Sequence, residues 1–165
     1  MWMGPRNSYG IRIIEADTPK LHRAEVDVRL KVFVHEQQVP FVLEVDARDQ
    51  DPQVVHLVAQ EESGAVVGAV RLIPDGHHQY HLGRLAVLKA HRGQGIGALL
   101  VQAIHQLVAE YTPRQVRATV VLDAQENAIS FYNKQGYTLT ERPAFEDAGI
   151  VHRTMSRMIQ GAGTD

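Results

Sequence analysis

The chain has 165 residues, 17 Lys and Arg against 19 Asp and Glu, and no cysteine. That length is enough for one self-sufficient core, and the missing cysteines exclude a disulfide framework, a thiolate metal site, an iron–sulfur cluster and a cysteine nucleophile. A net charge of −2, with 44 % hydrophobic and 22 % charged residues, is an ordinary globular balance; it forces no nucleic-acid groove and no membrane surface, and no apolar run is long enough to cross a bilayer. A cytoplasmic address, with no nucleic-acid and no membrane partner, is the expectation.

Residues 1–10 contain Pro5, Arg6 and Asn7 and no apolar centre, so they are expected to be a flexible leader. Residues 11–159 are expected to be one domain and 160–165 a flexible tail. A short β-rich run covers 11–15. Thr18 followed by Pro19 is a helix start, a hydroxyl cap before proline in the first turn. Leu21, Ala24, Val28 and Val32 then recur at helical spacing, predicting an amphipathic helix from residue 19 to about 34. Residues 35–52 hold Pro40, Pro52 and many acids and are expected to form a long ordered loop. Residues 53–60, 66–73 and 79–88 are predicted strands, joined by turns at 61–64 and 74–76.

Ile96, Leu99, Leu100, Ala103, Ile104, Leu107, Val108 and Tyr111 lie on one helical stripe, which Pro113 ends. Residues 116–122 are a strand, and the intervening helix makes a parallel crossover from 79–88 plausible. Asp123 and Glu126 have the spacing of a capping box for a short helix through Tyr132, with Gly136 as its stop. Residues 137–140 and 150–158 are predicted strands around a loop at 141–149. The order predicts a mixed α/β or α+β domain, a central sheet flanked by helices.

The most informative segment is the turn into the long helix, Arg92-Gly93-Gln94-Gly95-Ile96-Gly97. A helix N-terminus presents unpaired N–H groups and partial positive charge, and glycines let a ligand approach the backbone. Together they form an anion cradle suited to a pyrophosphate, with Arg92 at its rim. Ala98 and Leu99 follow Gly97, so the Gly-Lys-Ser/Thr ending of a nucleotide-hydrolysing loop is missing.

This segment resembles the acetyl-CoA pyrophosphate loop of the GCN5-related N-acetyltransferase (GNAT) superfamily, Arg/Gln-x-x-Gly-x-Gly/Ala. Residues 83–87 resemble the family's splayed fourth strand, and Asn127-Ala128-Ile129-Ser130-Phe131-Tyr132-Asn133-Lys134-Gln135-Gly136-Tyr137 resembles its Asn-Ala-x-x-Phe-Tyr segment. The run Val32-Phe33-Val34-His35-Glu36-Gln37-Gln38-Val39-Pro40 is similar to a subgroup with a Val-Phe-x-x-Glu-Gln-x-Val-Pro signature. The resemblance implies a mostly antiparallel sheet with a splayed parallel strand pair. It also implies acetyl-CoA as co-substrate, and direct attack in a ternary complex by a primary amine of a small molecule. Leu85, Ala86 and Val87 would bind the pantetheine arm and offer an oxyanion donor. Arg92, Gly93, Gln94, Gly95, Ile96, Gly97 and Ala98 would hold the pyrophosphate, and Asn127, Phe131 and Tyr132 would contact the cofactor. Tyr132 would also be the proton donor to the departing thiolate. A homodimer is a family-level expectation.

The base that takes the amine proton is less defined. Glu36, Glu44, Asp46, His56 and His152 are candidates, with Glu44 and His152 preferred. His77, His78 and His81 suggest a metal, but the run reads better as an exposed hairpin tip, and no metal is expected. Two other readings stay open. Val32, Phe33, Glu44, Asp46 and Asp49 also resemble acyl-homoserine lactone synthases, and a non-catalytic acyl-CoA-binding module would keep the same loop.

Overall fold

The computed structural model describes residues 2–41 and 46–164. Strands β1 (Met3–Arg6), β2 (Arg12–Glu15), β3 (Val55–Gln60), β4 (Val66–Pro74), β5 (Gln79–Val87), β6 (Arg117–Gln125), β7 (Thr138–Leu139), β8 (Phe145–Asp147) and β9 (Ile150–Gln160) form one sheet. Its order is β1-β2-β3-β4-β5-β6-β9-β7, with β8 also on β9. Among the described residues the α-helices with assigned ranges are α1 (Pro19–Arg29), α2 (Ile96–Tyr111) and α3 (Ile129–Lys134). The sheet is mostly antiparallel, and β5–β6 is the parallel pair.

By contacts the chain divides into two compact units, Met1–Leu72 with Arg84–Ala103, and Ile73–Gly83 with Ile104–Asp165. The boundaries fall inside β4, β5 and α2.

In the first unit, Thr18 caps α1 as expected, its Oγ1 accepting from the Leu21 N–H at 3.2 Å. The helix stops at Arg29, short of the expected end, and the backbone widens into a π-helical turn over Leu30–Glu36. The Gln37 N–H bonds the Val32 carbonyl at 3.0 Å, five residues back. Val28 and Val32 pack with Ile14, Val58, Ala69 and Ala86 in a core cluster, and Phe33 lies against it. The expected leader is corrected: Met3–Arg6 pair antiparallel with β2. The Asn7 side chain accepts from the Tyr9 and Ile11 N–H groups and ties the connection down. β4 is buried on both faces through most of its length, as a central strand must be.

In the second unit, β6 alternates strictly, burying Ala118, Val120, Leu122 and Ala124. It pairs along its whole length with β9, from Arg117 opposite Gln160 to Gln125 opposite His152. The expected capping box is corrected. Asp123 is still strand, and the short 3-10 turn before α3 has no side-chain cap. Part of the expected loop at 141–149 is strand β8, joined to β9 by Ala148 and Gly149 at φ +52° and +77°. Two residues with positive φ make the tight hairpin turn that matches strand twist. The expected tail is docked through residue 163: the Gly161, Ala162 and Gly163 N–H groups bond the carbonyls of Val116, Ala109 and Thr112. A Cβ at Gly161 would run into the Pro113 carbonyl, so only glycine permits that approach.

Candidate active site

The glycine-rich turn runs directly into α2. Gly93 and Gly95 sit at φ +83° and +74°, the left-handed region that glycine adopts without penalty. Nothing lies within 4 Å of where a Cβ at either would stand, so the space over the turn is open. The first α2 hydrogen bond runs from the Leu99 N–H to the Gly95 carbonyl at 3.0 Å. The N–H groups of Ile96, Gly97 and Ala98 therefore have no acceptor in the helix. The Gln94 carbonyl is turned away and accepts from the Asn7 side chain at 3.2 Å.

Arg92 is engaged at its own rim. Its Nη1 and Nη2 donate to the two Glu36 carboxylate oxygens at 2.6 and 2.8 Å, and its Nε donates to the Val87 carbonyl at 3.1 Å. The Arg92 hydrogen bonds hold the Glu36 carboxyl below its ordinary range, outweighing burial. Glu36 is therefore an ion-pair partner, which corrects its reading as a base. The π-helical turn that ends at Glu36 is what sets the carboxylate against Arg92.

β5 carries a distortion just before Leu85, Ala86 and Val87. Arg84 has φ +54°, strained for a residue with a Cβ. The parallel register with β6 covers Gln79 to His81, opposite Thr119 to Val121. Ala86 is buried, and Leu85 and Val87 are half-buried.

Asp46 and His56 also have other duties. Arg71 donates to Asp46 Oδ1 at 2.9 Å and to Asp49 Oδ1 at 3.1 Å. Arg29, fully buried, donates to both Asp49 oxygens at 2.8 and 3.1 Å and to Glu25 Oε1 at 3.0 Å. Burial alone would raise both aspartates; the guanidiniums outweigh it, lowering Asp46 and holding Asp49 at about 2. Buried His56 places Nδ1 2.9 Å from Glu25 Oε1. Asp46 is spent on Arg71 and is not available as a base in this arrangement, whereas His56 keeps Nδ1 on Glu25 with Nε2 buried. Glu44 lies outside the described residues.

In the second unit, Tyr132 is buried in α3, edge-on to Phe131 and Tyr137 at centroid distances of 5.0 and 6.0 Å. Burial raises its phenol above the ordinary value, so the hydroxyl keeps its proton. Asn127 lies in the 3-10 turn before α3. His152 stands on β9, stacked on Phe145, with Nδ1 2.7 Å from the Ile150 carbonyl. That contact makes Nδ1 the protonated nitrogen and leaves Nε2 as the acceptor. The buried network of Glu25, Arg29, Asp49 and Arg71 escaped the sequence reading. Its only signal is charge at core positions of a helix stripe and a strand.

The mostly antiparallel sheet with one parallel pair, β5–β6, and the glycine turn leading into α2 are the features to set beside known proteins. Residues 18–159 match the family model for the acetyltransferase (GNAT) domain. The chain belongs to the GNAT acetyltransferase family. It is 33 % identical over 130 residues to the uncharacterized N-acetyltransferase YjcF of Bacillus subtilis, covering 79 % of this chain and 87 % of the relative. An acyl-CoA N-acyltransferase from Pseudomonas aeruginosa superposes with a TM-score of 0.75 at 28 % identity, covering 89 % of this chain and 98 % of that one. An aminoglycoside 6′-N-acetyltransferase crystallised with coenzyme A has a TM-score of 0.68 at 18 % identity, over 91 % and 98 % of the two chains, which shows a shared fold. No helix among the described residues is long and apolar enough to cross a membrane.

Proposed function

We propose that this protein transfers the acetyl group of acetyl-CoA to a primary amine of a small molecule, by direct attack with both substrates bound. The observation that carries the reading is the open cradle of Gly93, Gly95 and the free N–H groups at the start of α2. Acetyl-CoA, when bound, supplies an acyl group activated as a thioester. Residues 92–98 would bind the pyrophosphate through backbone N–H groups and helix polarity. Leu85, Ala86 and Val87 would offer main-chain hydrogen bonds to the pantetheine arm and to a developing oxyanion. Asn127 and Phe131 are assigned to the same ligand on the resemblance alone.

Tyr132 is the proposed proton donor on the strength of the family resemblance, and its buried phenol carries a proton to give at neutral pH. His152 is the proposed base through Nε2, with Glu44 the second candidate. The subgroup signature has a physical role in this reading: Glu36 neutralises Arg92 until an anion arrives to share it. A cytoplasmic, homodimeric enzyme completes the proposal, tested by fractionation and sedimentation.

Calorimetric titration with acetyl-CoA, beside free CoA, is the deciding experiment. Saturable one-to-one binding followed by amine-dependent thiol release supports the proposal. Binding with no thiol release across a broad amine panel favours a non-catalytic module, and no binding at millimolar ligand rejects it. Turnover only with an acyl carrier protein thioester would favour the acyl-homoserine-lactone-synthase reading.

A further inference from the structure

Helix α1 and the start of β3 bring together His22, Glu25 and His56, whose donor atoms all lie within 4.8 Å of one another. We propose that these three residues form a binding site for a borderline divalent cation of the zinc type, open on one side to solvent. The site is independent of the acetyltransfer reading.

Position in the fold makes the cluster. His22 and Glu25 are three residues apart on α1 and share a face. His56 comes from the adjoining strand, its Nδ1 2.9 Å from Glu25 Oε1. His22 Nδ1 is 3.7 Å from the other carboxylate oxygen, Oε2. The two imidazole rings meet edge to face at a centroid distance of 5.0 Å.

The unspent donors point to a ligand. Glu25 and His56 are 1 % and 4 % exposed. Glu25 Oε2 and His56 Nε2 are buried and have no hydrogen-bond partner among the described residues. A lone pair left unsatisfied in the interior is costly. An ordinary His–Glu hydrogen bond explains Oε1 and leaves Oε2, which faces His22, unexplained.

Two imidazoles and a carboxylate are the donor set of open zinc sites and a poor set for magnesium or calcium, which take oxygen. Donors bound to one zinc at about 2.1 Å stand about 3.4 Å apart in a tetrahedron. The present spacing reaches that with a shift of roughly an ångström. His22, whose side chain is 44 % exposed, has the freedom to supply it.

The surroundings fit a cation. Arg29 donates to Glu25 Oε1 and orients the carboxylate, as outer partners of metal ligands do, while its own charge is matched by bidentate Asp49. The cleft onto which the cluster opens is lined also by Glu15, Asp17, Asp27 and Asp51, which outnumber its cations Lys20 and Arg23. That acidic excess favours entry of a cation, and the cleft leaves room for water at the remaining coordination position.

The test uses the full-length protein, stripped with a chelator and dialysed against Zn2+, with bound metal measured per chain. One equivalent is expected. His22→Ala, a change at an exposed position, is expected to weaken binding at least tenfold without altering the circular dichroism. A His77→Ala/His78→Ala double variant should bind like the parent. Co2+ loaded in place of zinc should give the intense visible absorption of a four-coordinate ion, absent in His22→Ala. No binding at micromolar Zn2+, undiminished binding by His22→Ala, or loss of binding only in the His77/His78 variant would each overturn the proposal. None of these readouts depends on acetyl-CoA.

Discussion

Arg29 shows how far a single side chain can depart from the pattern around it. It occupies a core position, fully buried, and is tolerated there because Glu25 and Asp49 meet its guanidinium. Replacing Arg29 with Met would leave two carboxylates without their main cation in the interior. A loss of about 3–5 kcal/mol is expected, read as a fall in the urea midpoint. Tyr132 makes the opposite kind of prediction. Tyr132→Phe keeps the ring and its edge-on contacts with Phe131 and Tyr137. If its hydroxyl is the proton donor, kcat should fall by roughly a hundredfold or more while CoA affinity is unchanged. Steady-state kinetics beside calorimetry separates the two effects, and an unchanged kcat would remove Tyr132 from the chemistry.

At this scale the sequence was least informative. Glu36 and Asp46 are plausible bases by residue type and position. What disqualifies them is a partner far along the chain: Arg92 is 56 residues from Glu36, and Arg71 is 25 from Asp46. No local pattern encodes which guanidinium will face which carboxylate.

Elements were more legible, because their causes are local. The Thr18 cap and the α2 stripe follow from spacing over a few residues, and the stripe is buried from Ile96 to Val108. Only Tyr111, at the helix's last position, is exposed. The glycine turn was also legible, since strand, glycines and helix are contiguous. It carries its own prediction. Gly95→Ala meets no steric obstacle, but its Cβ is placed at φ +74°. A loss of about 1–2 kcal/mol is expected from that conformation alone. The methyl would also protrude into the space over the cradle, so acetyl-CoA binding should weaken beyond what stability explains. Thermal melts and calorimetry on the same variant test both parts. The π-helical turn and β8 were not legible: the first breaks helical periodicity, and the second has three residues and an Ala-Gly turn in place of Asn-Gly.

For the whole molecule, burial of ionisable groups predicts the response to acid. Burial, with the charge of Arg157 adding to it, lowers His105 from 6.5 to about 4. Its neutral ring accepts from Arg157 at Nδ1 and donates from Nε2 to the Tyr137 hydroxyl. A depressed histidine favours the folded state above its unfolded value and loses that advantage as pH falls from 6.5 towards 4. Asp49 behaves likewise lower down, because its folded value of about 2 lies below its unfolded 3.8. That contribution, of the order of 2 kcal/mol, is complete above pH 4 and disappears as pH falls towards 2. Urea unfolding followed from pH 7 to 3 should show stability declining first in the histidine window. His105→Gln should flatten that first decline and leave the steeper acid loss in place.

By itself, the sequence determined the α/β class, most helix and strand positions, and the glycine turn into α2, since each arises from hydrophobic period, capping and turn chemistry within a short stretch. Tertiary structure alone decided that residues 3–6 join the sheet, that the chain end docks, that Arg92 is held by Glu36, and that His22, Glu25 and His56 meet. Those outcomes depend on strand pairing and on charges brought together across many residues, where long-range geometry, not local propensity, sets the energy.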